Sequence, residues 1–398
     1  MLAQFATLCL AILPAAMAVA HRSSPLVIAL AMVAIIGAVW IEGRPSELRD
    51  DVVAALLTPM GAAVLAFFAW SAASTAWSPS PARAVAALGE FVLPLAAAFI
   101  LSLTLPQRMD SRSVLLLAGG VILAAMLMLA DLGTGLAMRR ATGMRADLFV
   151  LNRPALTLLV LLPAAIRLLV RERRRWLAVL TAVMVAAAIL QSVSGAAKLG
   201  LFALVATGGM TLLARRAGLA LVGGSLLAAL AIAPVMGEIA ERALPDPVFH
   251  ALARAHAQDR VDIWRSFGAV LRRQPIVGAG LGATSRMGEA PVAEQVAPDF
   301  ATLLAVGHPH NAALQIWVEL GAIGAFLGAL VAALLLRGMA GLGRAELAAA
   351  TALLAAGLAD SLVGQGAWQG WWPAAIGAAL VWFRYGRIRP NGVVDGSA

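Results

Sequence analysis

The sequence predicts an all-α integral membrane protein, and two observations carry this prediction. The 398-residue chain is 61% hydrophobic and only 13% charged, with a mean hydropathy of +0.88. A soluble protein cannot hide so much apolar surface, so lipid must serve as part of its solvent. Apolar runs of spanning length also recur along the chain, separated by short breaks that contain arginine, glycine or proline.

These runs predict about twelve transmembrane helices within one polytopic domain that covers residues 1–398. The predicted spans are 3–20, 25–41, 53–76, 84–105, 113–134, 154–170, 176–193, 197–214, 217–236, 312–336, 346–363 and 369–384. The first 20 residues lack the basic region of a signal peptide and further spans follow at once, so we expect a retained first helix. Cys9 is the single cysteine, which excludes an intramolecular disulfide.

Basic residues are distributed unevenly between the two sides of the predicted membrane. With the N-terminus in the cytoplasm, sixteen of the 30 Lys and Arg residues lie on the inner side and seven lie in short outer loops. Cytoplasmic loops of membrane proteins carry such an excess. The distribution predicts that both termini are cytoplasmic, and it accounts for the net charge of +9 without nucleic acid as a partner.

One segment, residues 237–311 between spans 9 and 10, is far longer than an ordinary connector, and such loops tend to carry function. The predicted topology places it outside the cell membrane. Within it, residues 259–274 predict a helix, with Asp259 as the N-cap and Pro275 as the terminator. The loop is therefore the place to look for chemistry.

The arginines of this loop helix are the first candidates for substrate binding. Arg260 projects into the apolar stripe of the helix and lies in its first turn, where the dipole disfavours a cation. An anion bound at the helix N-terminus would offset both costs. The alternative is that Arg260 extends along the apolar face towards water or lipid phosphates. Arg265 is open to either interpretation, whereas Arg272 and Arg273 fit a solvated basic face.

A histidine pair marks the point where the loop re-enters the membrane. His308, Pro309, His310 and Asn311 directly precede the span that starts near Ala312. Histidine is the side chain best suited to take a proton from a sugar hydroxyl near neutral pH, which makes His310 a candidate base. Asn311 could orient His310 or cap the helix. No third His or Cys lies nearby, so no metal site is expected.

Taken together, these motifs resemble the signature of O-antigen ligases and related Wzy-type polymerases. The shared residues are Arg260-x-x-x-Trp264-Arg265, Pro275-x-x-Gly278-x-Gly280, His310-Asn311-x-x-x-Gln315-x-Trp317-x-Glu319-Leu320-Gly321-x-x-Gly324, Asn152-Arg153 and Trp368-Gln369-x-Trp371-Trp372. Their order, spacing and position at the end of the major outer loop match the family. The first 150 residues match only in hydropathy.

The resemblance implies a GT-C-like fold in the bacterial inner membrane, with the active site facing the periplasm. It implies metal-independent transfer of a glycan from undecaprenyl pyrophosphate to an acceptor hydroxyl, with no cofactor. By the same resemblance His310 is the base that activates the acceptor, and Arg260 and Arg265 hold the pyrophosphate. Supporting roles are implied for Asn311, Trp264 and Arg153.

The chain departs from the family pattern at the start of the eighth span. Many relatives have a Ser-Arg pair there, whereas here the cation is Lys198, a few residues beyond Ser194. Lysine can contact a phosphate as a point charge but cannot form the bidentate fork of arginine. Lys198 is therefore a candidate pyrophosphate contact of a different kind.

Three functional alternatives remain at this stage. A ligase, with lipid A–core as acceptor, is favoured over a polymerase, whose acceptor is the growing polysaccharide. A transporter or flippase would need ionisable residues or broken helices at the midplane, and Asp131 and Asp360 lie nearer the outer ends of their predicted helices.

Trp368, Trp371 and Trp372 are expected to be interfacial anchors, with acceptor stacking as the alternative.

Overall fold

A computed structural model describes residues 1–245, 247, 249, 257–364 and 366–387, and this part is 83% helical with no strand. Its helices are α1 (Leu2–Val19), α2 (Ser24–Ile41), α3 (Pro45–Leu56), α4 (Pro59–Ala73), α5 (Pro81–Thr104), α6 (Ser111–Gly133), α7 (Ala137–Ala141), α8 (Asn152–Arg171), α9 (Arg175–Gln191), α10 (Gly195–Leu213), α11 (Arg215–Ile232), α12 (Met236–Ala243), α13 (Ala257–Leu271), α14 (Pro298–Ala301), α15 (Ala312–Ala340), α16 (Arg344–Val363) and α17 (Trp371–Tyr385). Short 3-10 helices cover Ser74–Trp77, Pro106–Arg108, Leu148–Leu151, Ala233–Val235, Ala283–Glu289, Pro291–Gln295 and Thr302–Val306.

Within the described residues, ten helical segments are long and apolar enough to cross a membrane. The prediction of an all-α integral membrane protein is therefore confirmed. The two remaining predicted spans correspond to α9 and α17, which are shorter, at 17 and 15 residues. Arg389, which was counted among the inner-side arginines, lies outside the described residues.

The predicted third span, 53–76, is wrong as a single helix. The chain forms α3 and α4 instead, separated at Leu57 and Thr58. Pro59 starts α4 because it has no N–H to continue the preceding helix, and Thr58 caps the new helix by accepting a hydrogen bond from Gly61 N at 3.1 Å. No residue of α3 is buried, in keeping with its charged sequence.

Three further boundaries differ from the predicted ones. The predicted N-cap role of Asp259 is wrong, because Ala257 and Gln258, which precede it, are already helical residues of α13. Ala257 and Gln258 favour helix and extend it. The helix ends at Leu271 rather than Gln274, since a residue that precedes proline is disfavoured in the helical region. The predicted span 217–236 ends at Ile232, ahead of Pro234.

The core of the transmembrane region forms around α8, whose spanning window is 78% buried. Helices α6, α9, α16 and α17 all contact it. Small residues allow close approach between neighbouring helices, which is how membrane helices gain packing energy. At the α1–α6 contact, a Cβ on Gly120 would lie 1.8 Å from the carbonyl oxygen of Ala11.

A buried ion pair joins the end of α6 to the end of α1. Asp131 and Arg139 are each 2% exposed, and Arg139 Nε donates to Asp131 Oδ2 at 2.7 Å. The guanidinium also donates to the carbonyl oxygens of Ala18 and Val19 at the end of α1. Arginine satisfies these terminal carbonyls and the carboxylate together because its donors are arranged as a planar fork. Asp131 is therefore accounted for as a structural group.

Helix α15 is broken at Gly321, and a segment of the outer loop fills the break. Gly321 has φ 65° and ψ −165°, a conformation that essentially only glycine adopts. Ala322 N donates to Pro275 O at 2.9 Å, and Ala279 N donates to Val318 O at 2.8 Å. Gly280 N donates to Glu319 O at 2.9 Å. Non-helical backbone at membrane depth needs such partners, since lipid offers none.

The carboxylate of Glu319 accepts hydrogen bonds from several of the segments that meet at the break in α15. It is fully buried and accepts hydrogen bonds from Gly282 N at 2.7 Å, Trp368 Nε1 at 2.6 Å and Gln315 Nε2 at 3.0 Å. Thr284 donates to it through both its backbone N–H and its hydroxyl. A buried carboxylate is tolerated only when it is satisfied in this way. Glu319 thus joins the outer loop, α15 and the segment that precedes α17.

The part of α15 before the break, residues 312–320, and its cap Asn311 contact the ends of three other spans. Trp70 Nε1 of α4 donates to Leu320 O at 2.9 Å, and Trp317 Nε1 donates to Leu230 O of α11 at 2.7 Å. Asn311 Nδ2 donates to Leu362 O of α16 at 3.2 Å. These contacts fix the start of α15, and with it the histidine pair that precedes the helix.

Replacing Gly321 by alanine tests the break. A Cβ at this position would lie 2.1 Å from the carbonyl oxygen of Ile276, and the backbone conformation itself disfavours alanine. We expect Gly321→Ala to destabilise the protein by at least about 1–3 kcal/mol, the strain of such a conformation alone. The measurement is the melting temperature in detergent, followed by size-exclusion chromatography.

Gly338 provides the matched control in the same helix. A Cβ there would have no neighbour within 4 Å, and its backbone is helical. Gly338→Ala should leave the melting temperature unchanged or raise it slightly, since alanine favours helix over glycine. Equal melting temperatures for Gly321→Ala and the unsubstituted protein would refute this account of the break.

Candidate functional site

The site is built around residues 307–311, which connect the outer loop to α15. Gly307 and His310 both have left-handed backbone, with φ values of 92° and 50°. Asn311 is fully buried and caps α15, because its Oδ1 accepts a hydrogen bond from Leu314 N at 2.9 Å. A left-handed histidine is uncommon, and such conformations cluster at functional sites.

The two histidine side chains lie against each other. Their ring centroids are 4.1 Å apart, and the backbone N–H of His310 donates to Nδ1 of His308 at 3.2 Å. Nδ1 of His308 is therefore an acceptor, and the proton of the neutral ring lies on Nε2. The backbone of Gly364 lies near the His310 ring and acts to raise its pKa. A neutral imidazole carries a proton on one ring nitrogen and a lone pair on the other.

Burial keeps both imidazoles neutral near pH 7. It lowers the pKa of His308 to about 4, with a further contribution from His310. Burial also lowers the pKa of His310, and the positive charge of Arg260 acts in the same direction, opposed by the Gly364 carbonyl. A neutral imidazole with a free lone pair can accept a proton, which is what a general base requires.

Helix α13 brings Arg260 and Trp264 to this histidine pair. Trp264 Nε1 donates to the carbonyl oxygen of Pro309 at 3.0 Å. Arg260 lies one turn earlier on the same face, because residues four apart are neighbours on a helix. It is half-buried, and burial lowers the pKa of its guanidinium. The structure thus places a cation close enough to His310 to affect the protonation of its ring.

Arg265 lies on a different face of α13 and contacts α12. Its Nη1 is 3.3 Å from Glu241 Oε1, and its guanidinium stacks over Phe300 at 5.4 Å from the ring centroid. Arg272 forms a second ion pair with Glu238 on the same helix, so it does not belong to a purely solvated basic face. These pairs join α12 to α13, and a phosphate at Arg265 would compete with Glu241.

Arg153 and Lys198 are not in contact with the histidine pair. Arg153 Nη2 donates to Gln369 Oε1 at 3.1 Å, and its guanidinium lies 5.4 Å from the ring centroid of Trp371. Lys198 is exposed in the first turn of α10, and its side chain forms no hydrogen bond or ion pair with the described part of the chain. Ser194 caps α10 by accepting a hydrogen bond from Ala197 N at 3.2 Å.

The segment before α17 forms one wall of the site, which the sequence reasoning missed. A Cβ on Gly366 would lie 3.3 Å from Cγ of His308, so this glycine allows close packing. Ala367 N donates to Gln315 Oε1 at 2.8 Å and fixes the segment on α15. Besides the motif at Trp368 and Gln369, a signal in the sequence was the glycine spacing at 364, 366 and 370, which indicates tight backbone contact.

The three tryptophans of this segment are buried within the protein. Trp368, Trp371 and Trp372 are 7%, 4% and 6% exposed. The expectation that they are interfacial anchors is therefore wrong, because an anchor presents its ring to the lipid headgroups. Trp368 instead binds Glu319, and Trp371 donates from Nε1 to Gln369 Oε1 at 3.0 Å.

Two apolar cavities adjoin the start of α15. The larger, of about 750 Å³, lies among α11, α15, α16 and α17 and extends as far as Arg387 at the far end of α17. The smaller, of about 420 Å³, lies among α4, α5, α15 and α17 and reaches Gly366. Both are lined by Ala312, Ile316 and Ser361, so they meet close to the histidine pair.

Comparison with known families gives one match. Residues 141–329 match the family model Wzy_C, described as O-antigen ligase. No curated protein sequence matches the chain. The matched stretch contains α13, the long outer loop, the histidine pair and the break in α15. The match confirms the resemblance to the O-antigen ligase/Wzy superfamily that was drawn from the sequence motifs, and it covers just under half of the chain.

Proposed function

We propose that the protein transfers a glycan from undecaprenyl pyrophosphate to an acceptor hydroxyl, as an O-antigen ligase that acts on lipid A–core. The observation that carries the proposal is the neutral His310, held in a left-handed conformation beside Arg260. Pyrophosphate is a good leaving group, so the reaction mainly needs a base for the acceptor and a cation for the departing charge. The site offers one of each.

The reaction proceeds in one displacement. The free ring nitrogen of His310 removes the proton of the acceptor hydroxyl as its oxygen attacks the anomeric carbon of the donor sugar. The bond between that carbon and the pyrophosphate oxygen breaks, and the electron pair leaves with the pyrophosphate. Arg260 stabilises this charge, which increases as the bond breaks. The proton on His310 then passes to solvent or to the leaving group.

The apolar cavities support a lipid-linked donor. A polyprenyl chain needs an apolar path through the membrane that ends where its pyrophosphate reacts. The larger cavity is lined by Ile376, Leu380 and Phe383 of α17 and also by Ala312, two residues from His310. Together with the arginine distribution, this favours a site at the periplasmic face of the inner membrane, with both termini cytoplasmic.

A ligase and a polymerase differ in their acceptor, whereas the proposed chemistry at His310 is the same for both. Deletion of the protein decides between them. Loss of ligation leaves long lipid-linked polysaccharide and unmodified lipid A–core, whereas loss of polymerisation leaves single repeat units on the lipid carrier. We expect the first pattern, measured by mass spectrometry of the extracted lipids.

Substitutions at His310 and Arg260 test whether the first acts on the acceptor and the second on the donor. His310→Ala should lower turnover by roughly 10²–10⁴-fold with little change in donor binding, since the base acts on the acceptor. Arg260→Ala should impair both donor binding and turnover, because the cation contacts the donor in the ground state and in the transition state. Arg260→Lys should restore part of both, since it keeps the charge but loses the fork.

The measurements are donor affinity and transfer rate in detergent for each variant. Arg273→Ala is the control, since Arg273 is an exposed arginine of the same loop that follows α13 directly. A His310→Ala protein that transfers at the unsubstituted rate would remove this histidine from the mechanism. An Arg260→Ala protein with unchanged donor affinity would do the same for the arginine.

Arg265 needs a separate test, because it pairs with Glu241. If Arg265 binds pyrophosphate, Arg265→Gln should weaken donor binding, whereas Glu241→Gln should leave it intact or strengthen it by releasing the guanidinium. If Arg265 only joins α12 to α13, both variants should lower the melting temperature alike and leave donor affinity unchanged. We expect the first outcome, measured by donor binding and thermal unfolding in parallel.

Metal independence is the last expectation about the reaction. It follows from the chemistry, since Arg260 provides the positive charge that a divalent ion would otherwise supply. Transfer by the purified protein should therefore survive incubation with EDTA. Activity that is lost with EDTA and returns on adding Mg²⁺ or Mn²⁺ would contradict the mechanism.

A further inference from the structure

We propose that His308 is a positioning residue for His310: its ring Nδ1 holds the backbone N–H of His310 and so keeps the base in its left-handed conformation. The inference rests on the proposed role of His310 as base. Two observations carry it, the 3.2 Å hydrogen bond and the 4.1 Å separation of the two rings. Pro309 between them makes the pair rigid, because proline restricts both its own φ and the residue before it.

The left-handed conformation of His310 needs support from its surroundings. A histidine with φ 50° is disfavoured by contact of its Cβ with the backbone, so the conformation persists only where neighbouring groups determine it. Trp264 binds the Pro309 carbonyl on one side, and Asn311 is fixed by Leu314 and Leu362 on the other. The remaining backbone group in this turn is the N–H of His310, which donates its hydrogen bond to the ring of His308.

The position of the His308 ring is fixed by the segment that precedes α17. Gly366 lies against Cγ of His308 so closely that a Cβ would be 3.3 Å away. Ala367 holds this segment to Gln315, and Gln315 in turn binds Glu319. The contacts form a continuous path from the break in α15 to the backbone of His310. Packing against Gly366 on this path favours the ring orientation in which Nδ1 accepts the hydrogen bond.

The contact requires His308 to be neutral, since a protonated Nδ1 cannot accept a hydrogen bond. The charged or titratable groups that face it are His310 in the same loop and, beyond that ring, Arg260 on α13. Burial, with the contribution of His310, lowers the pKa of His308 to about 4, so the bond persists above that pH and is lost as the pH falls through it. At working pH, the protonation of His310 alone limits activity on the acid side.

Two substitutions separate positioning from general packing. H308N keeps an acceptor, since its Oδ1 is as many bonds from Cα as Nδ1 of histidine, whereas H308A has none. We expect H308A to lower kcat by about 10–100-fold, the cost of a base displaced by an ångström or so. The KM for the lipid-linked donor should not change, because the proposed function assigns donor binding to Arg260 and not to His308. H308N should keep most of the turnover.

The pH profile provides a readout that a purely structural residue would not move. Removing the ring in H308A exposes His310 to water, which raises the pKa of His310 towards its ordinary value near 6.5. The acid limb of the kcat/KM profile should therefore move to higher pH in H308A and remain close to the unsubstituted profile in H308N. H21A, which removes a histidine at the loop between α1 and α2, is the control and should change neither kcat nor the profile.

The outcomes distinguish this inference from the proposed function. Full activity of H308A beside an inactive His310→Ala protein would overturn the positioning role alone. Full activity of His310→Ala would overturn the proposed function. Equal defects in H308N and H308A, with an unmoved acid limb, would overturn the acceptor role of Nδ1. If H308A does not fold, ¹⁵N NMR of labelled histidine in the unsubstituted protein decides, and His308 must show the tautomer protonated at Nε2.

Discussion

A break in a membrane helix, whose backbone groups are hydrogen-bonded by the long loop, organises the half of this protein that contains that loop. Helix α15 cannot continue through Gly321, and the exposed backbone groups would be costly in lipid without partners. The segment from Pro275 to Gly280 supplies those partners, and Glu319 fixes the crossing by accepting hydrogen bonds from three parts of the chain. The loop helix α13, which precedes this segment, is thereby held beside the start of α15. Its Trp264 then reaches Pro309.

The electrostatics of the site follow from this assembly. His308 and His310 are neutral because the loop, α13 and the segment before α17 exclude water from them. The same burial makes the charge of Arg260 effective at the His310 ring, since screening by water is reduced. An anion beside Arg260 would relieve its desolvation. Packing thus places a neutral imidazole beside a cation before any substrate is present.

The apolar cavities and the polar site share one boundary, the first turns of α15. Ala312 and Ile316 line both cavities, and His310 precedes them directly. The arrangement lets an apolar chain lie among the helices while its polar end reaches the histidine. This boundary therefore suits a substrate whose apolar chain lies among the helices and whose polar end lies in water.

The sequence by itself determined the membrane class, the approximate positions of most spans, the long outer loop and the candidates Arg260 and His310, because hydropathy, charge distribution and short motifs are local properties. It did not determine the division of the third span at Pro59, the start of α13 or the burial of Trp368, which depend on neighbouring segments. It also left Glu319, Gly321 and His308 without a role. Their roles are contacts between residues far apart in the chain: Glu319 receives donors from the loop and from Trp368, and His308 is held by Gly366. Only tertiary structure could decide these, since no local pattern specifies which distant backbone N–H a buried acceptor will meet.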